Sequence, residues 1–129
     1  MATQTSVARS NPLTLEQRRA SHAWEKAQEG IKRHGKDYAN DAKGLPALIM
    51  NSGLMQVMAF LHEKGGRHEV LAQHLRDWLN KQCDTPRDFE DFMKELFEMQ
   101  DARLFQAITA EAFAWLKWLR QLAAAQQGG

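Results

Sequence analysis

The stretch Leu45–Lys64, LPALIMNSGLMQVMAFLHEK, decides how the chain is read. It is apolar enough for a membrane span or one buried helix, yet Asn51-Ser52-Gly53 interrupts it. A bilayer span takes roughly 20 predominantly apolar residues. Leu45–Leu61 is 17 residues long and includes Pro46, Asn51, Ser52, Gly53 and Gln56, so a span does not fit. Tyr38, Ala42, Leu45 and Ile49 recur instead at helical steps, and Leu54, Val57, Met58 and Leu61 fall at i, i+3, i+4 and i+7, which reads as two amphipathic helices. Gly53 can adopt positive φ without steric cost, so Asn51-Ser52-Gly53 is expected to be the corner between them. Met55, Ala59 and Phe60 add apolar groups on other faces of the second helix, which places it at the centre of the expected fold.

Working outward, Thr14 and Gln17 match a capping box that starts a helix. Its apolar face carries Ala20, Ala23, Trp24, Ala27 and Ile31, and it ends near Gly35. The segment Lys36–Asn51 keeps its period across Gly44 and Pro46, as either a kinked helix or one restarted at proline. Gly65-Gly66 breaks the chain before a helix built on Leu71, Leu75, Trp78 and Leu79. Thr85-Pro86-Arg87-Asp88 then predicts a start with a capping hydroxyl, proline at the first helical position and an acid in the first turn. Phe89, Phe92, Met93, Leu96 and Phe97 form the stripe of that helix. Asp101 caps a last helix along Leu104, Ile108, Ala112, Trp115, Leu119 and Leu122. With no strand pattern and no repeat, the sequence predicts an all-α, single-domain bundle of five to six helices over residues 14–125. A flexible tail over 1–13 and a disordered end over 126–129 are expected around it.

At 129 residues and 43% hydrophobic content the chain is one domain's worth. Met1–Leu13 lacks the apolar core of a signal peptide and Cys83 has no partner for a disulfide, so a cytoplasmic setting is expected. His22, His34, His62, His68 and His74 contain no i, i+3 or i, i+4 pair, and no Glu-x-x-His occurs. His62-Glu63 begins like a zincin motif, but Gly66 stands where the second histidine belongs. Gly65-Gly66 lacks a phosphate-loop frame, and Asp88, Glu90, Asp91, Glu95 and Glu98 read as a solvated face opposite the Phe stripe. These patterns give no catalytic, metal or cofactor site.

Charge is more informative. Residues 1–67 hold ten Lys/Arg against six Asp/Glu, while residues 68–129 hold seven against ten. The basic half is where nucleic acid would bind, because lysine and arginine meeting phosphates supply its non-specific affinity. A solvated face with local pairs such as Glu29 with Arg33 is the bland alternative. Of Trp24, Trp78, Trp115 and Trp118, only Trp118 lies one step off a buried stripe and is a candidate contact residue.

Three stretches carry a resemblance. LEQRRA over Leu15–Ala20 with Ala23-Trp24, LPALI with GLMQVMAFL inside the opening segment, and EAFAWLKWL over Glu111–Leu119 look like the small helical subunit of the type III-B CRISPR (Cmr) effector complex. The chain departs from that family's pattern at Arg120-Gln121, where a Lys-Arg pair is frequent, and at Ala110, where a basic residue is frequent. The resemblance implies a non-catalytic subunit without cofactor or membrane contact, stacked as a short filament beside the backbone subunits and neighbouring small subunits. Guide RNA and target RNA would run between them. On the first helix Arg19, Lys26 and Arg33 are spaced by seven, a step that drifts only about 20°. They form the expected RNA-binding row, with Arg18, Lys32 and Lys36 beside it. A protein-binding adaptor that never touches RNA is the competing class.

Overall fold

Thr14 opens the first helix as a capping box should. Its hydroxyl accepts from the Gln17 N–H at 3.1 Å, and the Gln17 side chain accepts from the Thr14 N–H at 2.8 Å. The computed structural model describes residues 12–128, so nearly all of the expected 1–13 tail lies outside the described residues. Within them six helices follow one another: α1 (Leu15–His34), α2 (Lys36–Ser52), α3 (Leu54–Lys64), α4 (Gly66–Cys83), α5 (Phe89–Glu98) and α6 (Ala102–Gly128). The bundle is all-α, and α6 continues through Gly128, past the boundary at 125 that composition suggests.

The corner in the opening stretch is tighter than the sequence implies. Asn51 and Ser52 finish the last turn of α2, and Gly53 alone stands outside a helix, at φ 86° and ψ 157°. Its N–H donates to the Ile49 carbonyl at 2.7 Å and its carbonyl accepts from Val57 at 3.1 Å, so one residue closes one helix and opens the next. Only glycine adopts that φ cheaply. Single glycines, Gly35 and Gly65, also separate α1 from α2 and α3 from α4. Between the open alternatives for Lys36–Asn51, the chain does not restart at proline: α2 runs through Pro46, with Leu45 and Ile49 buried on either side of it.

The second start signal is displaced. Asp88, not Thr85, caps α5, accepting from the Asp91 N–H at 3.1 Å. Thr85 is buried, its carbonyl accepts from Asn80 Nδ2 at 2.8 Å, and its hydroxyl has no partner among the described residues. Pro86 therefore lies in the loop. Asp101 caps α6 as predicted, accepting from Arg103 and Leu104 N–H.

The centre of the fold is α4 rather than α3. Val70, Leu71, Ala72, Leu75, Trp78 and Leu79 are buried on several of its faces, and it touches α1, α2, α3 and α6. Phe60 on α3 is 43% exposed. Helix α6 lies against α1, α2 and α4 through Ile108, Ala112, Trp115, Leu116, Leu119 and Ala123, while α5 packs on α3 through Phe92, Met93 and Leu96. Phe97 and Leu104, expected inside, are 65% and 44% exposed.

Helix α1 buries small groups. Trp24 is 44% exposed, and the inward face is instead His22, Ala23, Ala27 and Gly30. A Cβ on Gly30 would overlap the ring of Tyr38, which is itself fully buried. Gly30→Ala should therefore lower stability by about 1 to 3 kcal/mol through overpacking. Gly44→Ala, in open space on α2, should raise it by roughly 0.5 to 1 kcal/mol. Denaturant midpoints of the two variants check the pair; equal shifts would mean that Tyr38 has room to move.

Candidate functional site

A polar seam runs where α1, α4 and α6 meet. Glu111 on α6 is 8% exposed, and its two carboxylate oxygens accept from Arg19 Nε and Nη2 at 2.7 and 2.8 Å. Trp78 Nε1 adds a third bond at 3.0 Å. Burial pushes the Glu111 carboxyl up, but the hydrogen bonds from Arg19 and Trp78 outweigh it and hold the group below its ordinary range. The same bond raises the Arg19 guanidinium further.

One turn along, His22 sits between the Trp78 and Trp115 rings. Trp115 Nε1 donates to His22 Nδ1 at 2.9 Å, and because indole nitrogen is donor-only, Nδ1 must be the acceptor. The proton then sits on Nε2, which donates to Asp77 at 2.7 Å. Burial lowers the His22 pKa and keeps this tautomer neutral. Deeper in, the Tyr38 hydroxyl meets His74 Nδ1 at 2.7 Å, while His74 Nε2 faces Glu29 at 3.5 Å. Burial lowers His74 to about 4 and raises the Tyr38 phenol well above its usual value.

This seam captures part of the expected basic row. Arg19 is bound to Glu111, and Lys26 Nζ lies 3.8 Å from both Asp77 and Glu29. Their side chains are only 20% and 18% exposed. Arg18 is exposed and donates to Gln82 at 3.0 Å. Glu29 turns to Lys26 and His74 instead of Arg33. Lys32, Arg33 and Lys36 are exposed and form no ion pair among the described residues. The three-residue row is thus divided: its first two members pair with acids, and the third stays with the solvent.

A second cationic surface lies between α2 and α6. Lys36, Asn40 and Lys43 from α2 and Arg120, Gln121 and Gln127 from α6 line a groove of about 430 Å³, with no carboxylate among its described lining residues. Lys36 and Lys43 are two helical turns apart, so they lie roughly 10 Å from each other along one face. By contrast the cleft of about 570 Å³ beside the seam carries Lys26, Arg76 and Arg87 together with Glu29, Glu69, Asp77 and Asp88. There Arg76 is bound to Glu69 at 2.6 Å and Arg87 to Asp77 at 3.1 Å, so its charges neutralise one another.

Residues 15–126 match the family described as CRISPR-associated protein (Cas_Cmr5). The chain belongs to the Cmr5 family. It is 30% identical over 131 residues to the CRISPR system Cmr subunit Cmr5 of Thermotoga maritima, covering 100% of this chain and 95% of the relative. The Thermus thermophilus Cmr5 subunit is 32% identical over 111 residues, covering 82% and 90% respectively. A crystal structure of a Cmr5 family protein from Thermus thermophilus superposes with a TM-score of 0.74 at 29% identity, over 88% of this chain and 97% of that one. The family read from the three stretches and the helical fold read from the apolar period are those found, and the chain is a small subunit of the Cmr type.

In this Cmr5-family chain, sequence reasoning missed Lys43 and Arg120. The signal for Lys43 was present, since it stands seven residues after Lys36 on one helix. Arg120 stood out only as the remaining member of the family's frequent Lys-Arg pair, because its meeting with α2 is tertiary. Among the described residues no group of three or more His, Cys, Asp or Glu is placed to hold a metal ion, and no helix is long and apolar enough to cross a membrane. Burial and the nearby Glu111 raise the Cys83 thiol, which keeps it protonated and a poor nucleophile.

Two outcomes follow from the seam. Arg19→Met leaves Glu111 buried without its counter-charge and should cost about 3 kcal/mol in a denaturation experiment, whereas Arg33→Met should stay within roughly 0.5 kcal/mol. Stability should also fall with acid. His22 and His74 are depressed in the folded state, so the unfolded chain takes up their protons first. For His74 stability is full above about 6.5 and is lost progressively down to about 4, an effect on the order of 3 kcal/mol. Midpoints measured from pH 7 to pH 4 should show this slope, and His74→Gln should flatten it.

Proposed function

We propose that this chain is a non-catalytic small subunit of a type III-B CRISPR ribonucleoprotein, stacked as a short filament along the guide–target RNA path in the cytoplasm, supporting antiviral RNA interference. The observation that carries the reading is the groove of Lys36, Lys43 and Arg120, whose cations converge without a lining carboxylate. Such a surface suits a strand of phosphates, since each neutralised phosphate releases counterions and adds affinity. Lys32 and Arg33, exposed and unpaired among the described residues, extend it, and Arg18 is a weaker contributor. Arg19 and Lys26 hold α1 in place and reach RNA only secondarily.

The exposed acids Glu90, Asp91, Glu95 and Glu98 on α5 give the molecule a surface of opposite sign. Unlike surfaces on one chain favour heterologous, head-to-tail contacts with neighbouring small subunits. Absence of catalysis is supported by the seam chemistry: its histidines are held neutral and committed to internal hydrogen bonds, and its carboxylates to arginine, lysine and indole.

The test is charge reversal at the groove. Lys36→Glu, Lys43→Glu and Arg120→Glu together should weaken target RNA binding by the assembled complex and reduce the slope of log affinity against log salt by about 2 to 3, with helicity unchanged. Unchanged affinity and slope would move the RNA path to another face. Loss of partner subunits with RNA binding intact would favour the protein-adaptor reading.

A further inference from the structure

We infer that the pocket at Trp118 receives an unpaired nucleobase from the RNA strand held by the α2–α6 groove. The inference rests on the RNA-facing reading above and adds a second kind of contact to it. Arg19, Ala114, Lys117, Trp118 and Gln121 line this pocket of about 420 Å³, and Glu16 is the only carboxylate among the described lining residues. Gln121 also lines the cationic groove, so the two sites adjoin at α6.

Trp118 differs from the other indoles. Trp78 and Trp115 are buried, with their N–H groups bound to Glu111 and His22. Trp24 is exposed but lies outside this pocket. Trp118 is half-buried: it packs against the core, and it lines an open pocket with an indole N–H that has no protein partner among the described residues. Ala114, one turn earlier, lines the same pocket with only a methyl group. An aromatic face beside a lysine and an amide is the set that single-stranded nucleic acid uses, with the base stacked on the ring and the phosphate met by the cation. A base within a duplex is stacked on both faces and cannot enter. The volume lies in the roughly 300 to 1,000 Å³ range of pockets that enclose small ligands.

The experiment uses the assembled complex with target RNA carrying 5-iodouridine in place of uridine. Irradiation should join RNA to the peptide containing Trp118, located by mass spectrometry. Trp118→Leu should remove the adduct and weaken binding roughly tenfold, the worth of one stacked base, while leaving the salt slope unchanged because no phosphate contact is lost. Trp118→Phe should retain most of the affinity, and Trp24→Leu all of it. No adduct at Trp118, together with unchanged affinity in Trp118→Leu, overturns the inference. The groove reading survives that result if reversal of Lys36, Lys43 and Arg120 still weakens binding, and falls with it if reversal does nothing. Loss of a partner subunit with RNA affinity preserved would make the pocket a protein interface and would also overturn the inference. Should Trp118→Leu fail to fold, the adduct in the wild type and the affinity of Trp118→Phe decide.

Discussion

A carboxylate taken out of water has to be met by donors, and Glu111 is met by two helices at once. The Arg19 guanidinium reaches it from α1 and the Trp78 indole from α4, so a single side chain on α6 fixes the relative position of three helices. Apolar packing tolerates small sliding and rotation; a bidentate arginine pair does not. The His22 bonds to Trp115 and Asp77 repeat the device one turn further on and join the same three helices. The small groups Ala23, Ala27 and Gly30 then let α1 approach closely enough for these bonds to form.

The seam also sorts the charges. Acids that would otherwise quench a basic surface are turned inward: Glu111 takes Arg19, Asp77 takes Lys26 and Arg87, and Glu69 takes Arg76. Of the cations left without an ion pair among the described residues, Lys36, Lys43 and Arg120 gather in the groove between α2 and α6. A nearly neutral chain can thereby present a basic face, which net charge alone would not suggest.

Local signals were legible and distant ones were not. The capping box at Thr14, the breaks at Gly35 and Gly65 and the cap at Asp101 depend on residues within four positions, and all are where the sequence puts them. At Thr85 and Asp88 two residues offered the same local chemistry. The outcome was set by Thr85 packing into the core, where Asn80 takes its carbonyl. Helical period alone favours Trp24 over His22 for the inside, but His22 can be buried because partners 55 and 93 positions away satisfy both ring nitrogens. The basic row is divided for the same reason. Its spacing was right, yet Glu111 and Asp77, which claim its first members, come from other helices.

The length of chain between Arg19 and Glu111 bears on how the protein is made. Helices α2, α3 and α4 follow one another through single glycines and can pack as they emerge from the ribosome, since their contacts are close in sequence. Helix α1 precedes them but must wait for residues 111 and 115, 92 and 93 positions later, before Arg19 meets Glu111 and His22 gains its second partner, Trp115. At synthesis rates of about 5 to 20 residues per second that interval lasts several seconds. Helix α1 can meet Tyr38 and Asp77 earlier, but a nascent chain released before Trp115 lacks the Glu111 and Trp115 bonds that complete its seat.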